Sequence, residues 1–325
     1  MSKALGLMSG GLDSSLAAMV LMRQGIEVTG ISFVTPFFNA GKARRASEKL
    51  GFPLLVKDIS DLHLDMVKAP KYGYGRNMNP CIDCHAMMFR LAGEILQREG
   101  FDFLFSGEVL GQRPMSQNAN ALRSVANHSG FPERVLRPLS AKLLPVTAME
   151  EIGLVERERL LDIQGRSRKR QQALSIEWGY PDYPSSGGGC LLTEERFADR
   201  LRDLLQHDPQ AAVAEVESLK VGRHFRLSPQ AKLLLGRNQQ DNDVLENLKG
   251  IGYVHLHCAD FKGPLGVFCG RNLTNELALA AAIVASYGKG KDQDAVDVIV
   301  QRGEQSEERL KVVPLARNLS ARMLI

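Results

Sequence analysis

Seven residues near the start, Ser9-Gly10-Gly11-Leu12-Asp13-Ser14-Ser15, combine two glycines, three hydroxyls and a carboxylate within one short stretch. They lie where a first apolar run, Ala4–Met8, gives way to a helical pattern over Ser14–Arg23. Glycines let a backbone approach a phosphate closely, and the free N–H groups of a helix start point toward an anion. Ser9, Ser14 and Ser15 add hydroxyl donors. Asp13 is an unusual neighbour for phosphate. It suits either a magnesium ligand or a brace holding the loop to the helix start. The spacing matches neither the lysine-bearing phosphate loop nor the dinucleotide-binding glycine pattern.

A second set is sulfur. Cys81 and Cys84 form a Cys-x-x-Cys pair after Asn79-Pro80, at the head of a helix over Ala86–Arg98, where a thiolate has its pKa lowered. Cys190 follows Gly187-Gly188-Gly189, a bare loop able to wrap a bulky inorganic group. The bite suits zinc or an iron–sulfur cluster. Three cysteines are one short of the usual four cluster ligands, and an open iron can bind and deliver hydrosulfide. A [4Fe–4S] cluster on Cys81, Cys84 and Cys190 is the expectation. The alternatives are a structural zinc completed by His85 and a metal-free persulfide or disulfide pair. Cys258 and Cys269 read as small buried side chains, because His255 and His257 fall on the strand face opposite Cys258.

The third set is basic. Arg166, Arg168, Lys169 and Arg170 cluster before a helix. The stretch 218–240 holds Lys220, Arg223, Arg226, Lys232 and Arg237 with no acid. Such stretches neutralise phosphates when they are not merely a solvated face. Arg223, Arg226, Lys232 and Arg237, on or beside two neighbouring strands, are expected to converge on one face as an RNA contact.

The elements that must position these groups follow a simple order. Strands at Ala4–Met8, Val28–Val34, Leu54–Lys57, Phe101–Phe105 and Val135–Leu136 alternate with helices at Ser14–Arg23, Lys42–Leu50 and Met87–Arg98. That alternation predicts an α/β, doubly wound parallel sheet, with ligands beyond the carboxyl ends of its strands. Thr147 and Glu150 form a capping box, Asp208-Pro209 starts a helix, and Tyr180–Gly189 is a loop. From Val221 the pattern is that of a smaller α+β domain, with strands at Gly222–Leu227, Lys232–Gly236, Tyr253–Cys258 and Val296–Val300 and helices at Asp241–Leu248 and Leu273–Tyr287. The domains expected are 1–175, a helical linker at 176–219 carrying the third cysteine, and 220–325.

Composition sets the limits. With 325 residues, 44% hydrophobic and 24% charged, the chain is neither disordered nor fibrous. A net charge of +4 leaves nucleic-acid contact to local patches. No run reaches the ~18 apolar residues of a membrane span. The apolar start runs straight into the glycine turn, so no secretory leader is expected, and five cysteines fit a reducing, cytoplasmic setting.

The loop Ser9–Ser15 resembles the SGGxDS signature of PP-loop ATP pyrophosphatases, a HUP-like fold. Met8–Ser15, Gly30–Phe38, Cys84–Arg90, Ser106–Gln112 with Ser116-Gln117, and Leu136–Leu139 occur in the order found in the ThiI family of tRNA 4-thiouridine synthetases, and more distantly in MnmA. The resemblance implies cleavage of ATP to AMP and pyrophosphate with Mg2+, and places Phe33, Gly107 and Gln117 around the nucleotide. Beyond residue 220, Val221–Arg226, Leu235–Asn238, Asn242-Asp243, His255, Asp260, Gly263-Pro264 and Ala280–Tyr287 are similar in order to the NFACT-R RNA-binding domain.

The expectation is an ATP-dependent tRNA sulfurtransferase, with tRNA and a sulfur donor (sulfide or a persulfide-carrying desulfurase) as partners and no membrane. The rivals are a PP-loop enzyme adenylating a small molecule and a non-enzymatic RNA-binding factor with a relic PP-loop.

Overall fold

The computed structural model describes residues 2–184, 189–248, 253–270, 274–303 and 306–325. They form two compact units, Met1–Glu194 and Glu195–Ile325. The stretch 176–219, expected as a linker, is thus divided between the two units. Of the expected features, Ser185, Ser186, Gly187 and Gly188 of the loop and Leu273 of the last long helix lie outside the described residues.

Unit 1 holds strands β1 (Lys3–Leu7), β2 (Glu27–Val34), β3 (Leu54–Asp58), β4 (Phe103–Ser106) and β5 (Val135–Leu136). Its helices are α1 (Leu12–Met22), α2 (Gly41–Leu50), α3 (Ser60–Lys68), α4 (Cys81–Glu99), α5 (Ala119–His128), α6 (Ala148–Glu151) and α7 (Lys169–Glu177). The sheet runs β3-β2-β1-β4-β5 and every pairing in it is parallel. The strands are short apolar runs because both faces are covered. Neighbouring residues show it: Ala4 and Phe103 pack with Leu12, Leu16 and Val20 of α1, while Leu5 and Leu104 pack with Phe89, Ala92 and Leu96 of α4. From β1 the chain winds outward through β2 and β3, then returns to β4 on the other side. The strand order therefore reverses between β1 and β4, and a crevice opens beyond their carboxyl ends.

Two glycines close that crevice. Gly10 has φ +71°, and a Cβ there would sit 2.1 Å from the Lys42 carbonyl carbon at the start of α2. A Cβ on Gly107 would sit 2.4 Å from the Ser14 amide nitrogen. The loops after β1 and β4 and the head of α2 thus touch through bare backbone, which no larger residue permits.

Unit 2 opens with α8 (Glu195–His207) and α9 (Val213–Ser218), followed by β6 (Arg223–Ser228), β7 (Ala231–Leu235), α10 (Gln239–Glu246), β8 (Tyr253–Cys258), β9 (Gly266–Cys269), α11 (Thr274–Tyr287), β10 (Val296–Arg302), β11 (Ser306–Val312) and α12 (Arg317–Ser320). The sheet order is β11-β10-β8-β9-β7-β6, with antiparallel pairings throughout. Its α11 face is the apolar one: Phe225, Leu233, Val254, Leu256, Cys258 and Val298 pack with Ala280, Ile283 and Val284. β9 and β11 have no counterpart among the strands expected from the sequence. Among the described residues no helix is long and apolar enough to cross a membrane.

Candidate nucleotide and sulfur site

At the phosphate-type loop, Ser14 donates its hydroxyl to the Gly11 carbonyl at 3.0 Å and lies 3.2 Å from the Ser9 hydroxyl. The Ser9 oxygen accepts weakly from the Gly11 amide at 3.4 Å. Ser15 is placed differently from the expectation. It is wholly buried and its hydroxyl donates to Tyr180 at 3.3 Å, so it ties the helix start to the interior instead of lining the cradle.

Asp13 is the brace read from the sequence. Its Oδ2 accepts from Gln112 Nε2 at 2.8 Å and pairs with Arg168 at 3.2 Å. Gln171 in turn donates to Gln112 at 2.9 Å, so two segments, the loop of Gln112 and the head of α7, brace one carboxylate. Its other oxygen, Oδ1, is buried with no hydrogen-bond partner. A buried carboxylate oxygen left over beside a phosphate-type loop fits a divalent cation such as Mg2+, which prefers hard oxygen ligands. Gln117 also lies buried here with its Oε1 unpartnered, its backbone carbonyl accepting from Gly111 at 2.7 Å. Phe33 is buried among Ile31, Ile59 and Phe89 on the α4 side of the sheet.

The residue after Gly107 carries the site onward. Glu108 is buried, and its carboxylate accepts from Arg137 Nε at 2.9 Å and from Ser106 Oγ at 3.1 Å, with His85 Nδ1 at 2.7 Å. Burial pushes its pKa up, but Arg137 and His85 outweigh burial and hold it at about 2. The stability this carboxylate contributes is therefore present above its ordinary value of 4.5 and is lost as pH falls toward about 2. Removing one partner of a buried pair strands the other charge. Glu108→Ala should destabilise unit 1 by about 3–5 kcal/mol, read as a lower denaturant midpoint at neutral pH. An unchanged midpoint would mean that Arg137 finds another acceptor.

His85 follows Cys84, so this network reaches the cysteines. Cys81 opens α4 and its sulfur accepts from Asn79 Nδ2 at 3.2 Å. Cys84 is buried one turn on, 3.2 Å from His63 Nε2. The segment after Cys190 is strapped to the same corner, with Leu191 N donating to Phe37 O at 3.0 Å and Met78 N to Leu192 O at 3.2 Å. Burial, then the neighbouring Cys190 and Cys81, push the Cys84 thiol well up. Burial likewise brings Cys190 to about 11. The helix-start effect expected to lower Cys84 is outweighed, because the sulfur sits inside the unit and not at its mouth.

The three sulfurs share one corner, and their number and kind agree with a three-thiolate cluster. Their arrangement does not: among the described residues, no group of three or more His, Cys, Asp or Glu side chains is set to hold a metal ion. The same finding leaves the zinc alternative through His85 without a ligand set.

The basic residues are less free than their spacing suggests. Arg168 is spent on Asp13, and Arg170 pairs with Asp162 at 2.5 Å, while Arg166 and Lys169 are exposed. In unit 2 the side chains do not converge on one face. Arg226 and Lys232 are cross-strand partners. Arg226 forms a two-pronged pair with Asp203 of α8 at 3.0 and 2.6 Å. Lys232 is buried 4.0 Å from the same carboxylate, and burial brings its pKa to about 8. Arg223, of opposite strand parity, stacks 5.2 Å over the Tyr287 ring, and Arg237 pairs with Asp241 at 2.6 Å. The stretch 218–240 looked free of acid because its carboxylates lie just outside it, at Asp203 and Asp241.

Comparison with known proteins matches both units. Residues 1–142 fit the family model described as thiamine biosynthesis protein (ThiI), and residues 222–322 fit that of the NFACT protein RNA binding domain. Unit 1 is thus similar to ThiI over residues 1–142, and unit 2 to the NFACT RNA binding domain over residues 222–322. The tRNA-specific 2-thiouridylase MnmA of Methylobacterium nodulans is 27% identical over 236 residues, covering 67% of this chain and 59% of the relative. This chain therefore spans about six-tenths of that relative's length. MnmA of Thermus thermophilus is 27% identical over an alignment of 345 positions, covering 96% of this chain and 82% of the relative. A solved 4-thiouridine synthetase–RNA complex with bound ATP aligns at 21% identity and a TM-score of 0.36, covering 66% of this chain and 52% of that one.

In unit 1, sequence reasoning missed His63, Glu108 and Gln112 as parts of the site. Gly107-Glu108 and Gln112 stood inside a quoted motif, so their signal was present. His63 had none, since a single histidine on an amphipathic helix says nothing about the sulfur beside it.

Proposed function

We propose that the protein is an ATP-dependent tRNA sulfurtransferase. The observation that carries this reading is a continuous path through unit 1. The PP-loop at Asp13-Ser14 presses on Gly107, Glu108 binds His85, and His85 is the next residue after Cys84, whose sulfur lies against His63 in the cysteine corner. That path supports a reading in which nucleotide and sulfur chemistry work side by side in unit 1.

The backbone N–H groups and hydroxyls of Ser9 to Ser14 hold the phosphates, and Mg2+ on Asp13 Oδ1 would offset their charge. A uridine carbonyl oxygen attacks the α-phosphorus, the bond to the bridging oxygen breaks, and pyrophosphate leaves. Hydrosulfide from the sulfur donor then attacks the activated carbon, and the carbon–oxygen bond breaks with AMP as leaving group. From a persulfide-carrying donor the outer sulfur passes instead to one of the thiols Cys81, Cys84 and Cys190, releasing the donor's thiol; that persulfide attacks the carbon as AMP leaves, and a second of the three cysteines attacks its sulfur, freeing the thiouridine and leaving a disulfide that an external thiol reduces. The three sulfurs as arranged do not hold a [4Fe–4S] cluster, so no step is routed through one. Iron and acid-labile sulfide in protein purified without oxygen would show that they rearrange around a cluster, stoichiometric zinc would favour a structural clip, and protein without metal points to a persulfide. The NFACT-R-type domain supplies RNA affinity by surfaces other than the ion-paired Arg226, Lys232 and Arg237.

Mass spectrometry of tRNA nucleosides from a deletion strain tests the reading. Loss of one thiolated uridine, restored by the gene, is expected. An unchanged nucleoside profile would overturn it.

A further inference from the structure

We propose that the exposed segment Lys71–Arg76, together with His128, is the surface on which the unpaired RNA strand around the target nucleotide docks. This rests on the sulfurtransferase reading and assigns the catalytic unit an RNA contact of its own.

The segment runs Lys71-Tyr72-Gly73-Tyr74-Gly75-Arg76, two aromatic rings flanked by two cations and separated by glycines. Lys71, Tyr72, Gly73, Tyr74 and Arg76 are all exposed, Tyr72 to 40%. An exposed ring of that size beside cations is what unpaired nucleic acid uses: bases stack on the ring while the cations meet the backbone. Lys71 Nζ already sits 5.8 Å from the Tyr72 ring centre, and the His128 ring meets Tyr72 edge-on at 5.2 Å. The Tyr72 hydroxyl lies 3.0 Å from both His128 ring nitrogens, and Lys71 Nζ lies 2.8 Å from His128 Nε2, so His128 meets the hydroxyl edge of Tyr72 and not its face. Neither Lys71 nor Arg76 has an ion pair among the described residues.

The segment is tied to the cysteines. Asp83, which lies between Cys81 and Cys84, accepts from the backbone N–H of Lys71 at 3.1 Å and of Tyr72 at 3.0 Å. At the other end Asn77, with φ +64°, donates its side-chain amide to Thr193 O at 2.7 Å, three residues past Cys190. Gly75 N donates to Asn79 O at 2.9 Å. Asparagine tolerates the left-handed region better than most residues, and here the Cys190 side of the corner fixes Asn77 while the Cys81–Cys84 side fixes Lys71 and Tyr72. The platform is therefore held at the edge of the cysteine corner. Sequence-specific RNA recognition favours unpaired nucleotides whose bases can be splayed and stacked, which is the state a target uridine must reach to meet buried sulfurs.

The test uses the full chain with unfractionated tRNA. Ultraviolet crosslinking of the unaltered protein should give RNA-bearing peptides that include residues 71–76. Tyr72→Ala should weaken tRNA binding about tenfold, within the range of one lost base stack, while Tyr72→Phe should bind as the unaltered protein does. Lys71→Ala with Arg76→Ala should flatten the dependence of log K on log salt by about 1.4, two single-strand phosphates' worth. ATP binding by the same preparations reports that unit 1 stays folded. Crosslinks confined to 222–322, with affinity and salt slope unmoved by the substitutions, overturn the surface even where tRNA is still thiolated. Crosslinks at 71–76 in a protein that never thiolates tRNA uphold the surface and overturn the reaction.

Discussion

Asp13→Ala is expected to lower adenylation by roughly 10²–10³-fold, the scale of losing one preorganised electrostatic group at a phosphate site. Two effects add. The substitution removes the buried Oδ1 that fits a cation, and it releases Gln112 and Arg168 from the Oδ2 brace. Asp13→Asn separates them, because an amide keeps the shape and can still accept from Gln112 while the charge is gone. If the cation role dominates, Asn should fall almost as far as Ala. If the brace dominates, Asn should retain most activity. Formation of AMP and pyrophosphate from ATP in the presence of tRNA reads both. Undiminished formation in Asp13→Ala would remove the PP-loop from the chemistry.

The second large effect separates the two halves of the reaction. Cys81→Ser, Cys84→Ser and Cys190→Ser should each reduce thiouridine formation to background while ATP cleavage continues, since none of the three cysteines belongs to the phosphate loop. Cys258→Ala serves as the comparison: that thiol is buried in the core of unit 2, so its loss should touch stability and leave sulfur transfer intact. The readouts are thiolated nucleoside per tRNA and AMP released, measured on one sample. Full thiolation in any of the three serine variants would take that cysteine out of the sulfur path.

How far these residues were legible in the sequence depended on range. The strands β1, β2, β3, β4 and β5 stood out because a parallel sheet covered on both faces demands short, fully apolar runs between amphipathic helices. The doubly wound order and its crevice followed. β9, four residues long, and β11, whose Ser-Glu-Glu-Arg-Leu-Lys-Val reads as a charged surface stretch, carried too little apolar signal to be counted. The PP-loop was legible because its chemistry is local, packed into seven consecutive residues. The cysteine corner was legible in membership but not in environment: spacing identifies three thiols, whereas only packing shows that Cys84 is buried against His63, where burial pushes its thiol up. The basic stretch in unit 2 misled for the opposite reason. Its neutralising partners, Asp203 on α8 and Asp241 on α10, bracket the run, and strand parity puts Arg223 and Arg226 on opposite faces. A charge run in sequence is an inventory, and the fold decides how much of it reaches solvent.

The central claim is that one chain adenylates a tRNA uridine and replaces its oxygen with sulfur. The direct measurement incubates the purified full-length protein with ATP, Mg2+, sulfide and unmodified tRNA without oxygen, and quantifies AMP, pyrophosphate and nucleosides together. The account predicts AMP, pyrophosphate and thiouridine in equal amounts, all dependent on tRNA. AMP and pyrophosphate released at full rate without tRNA, with no thiouridine formed when tRNA is added, would contradict it.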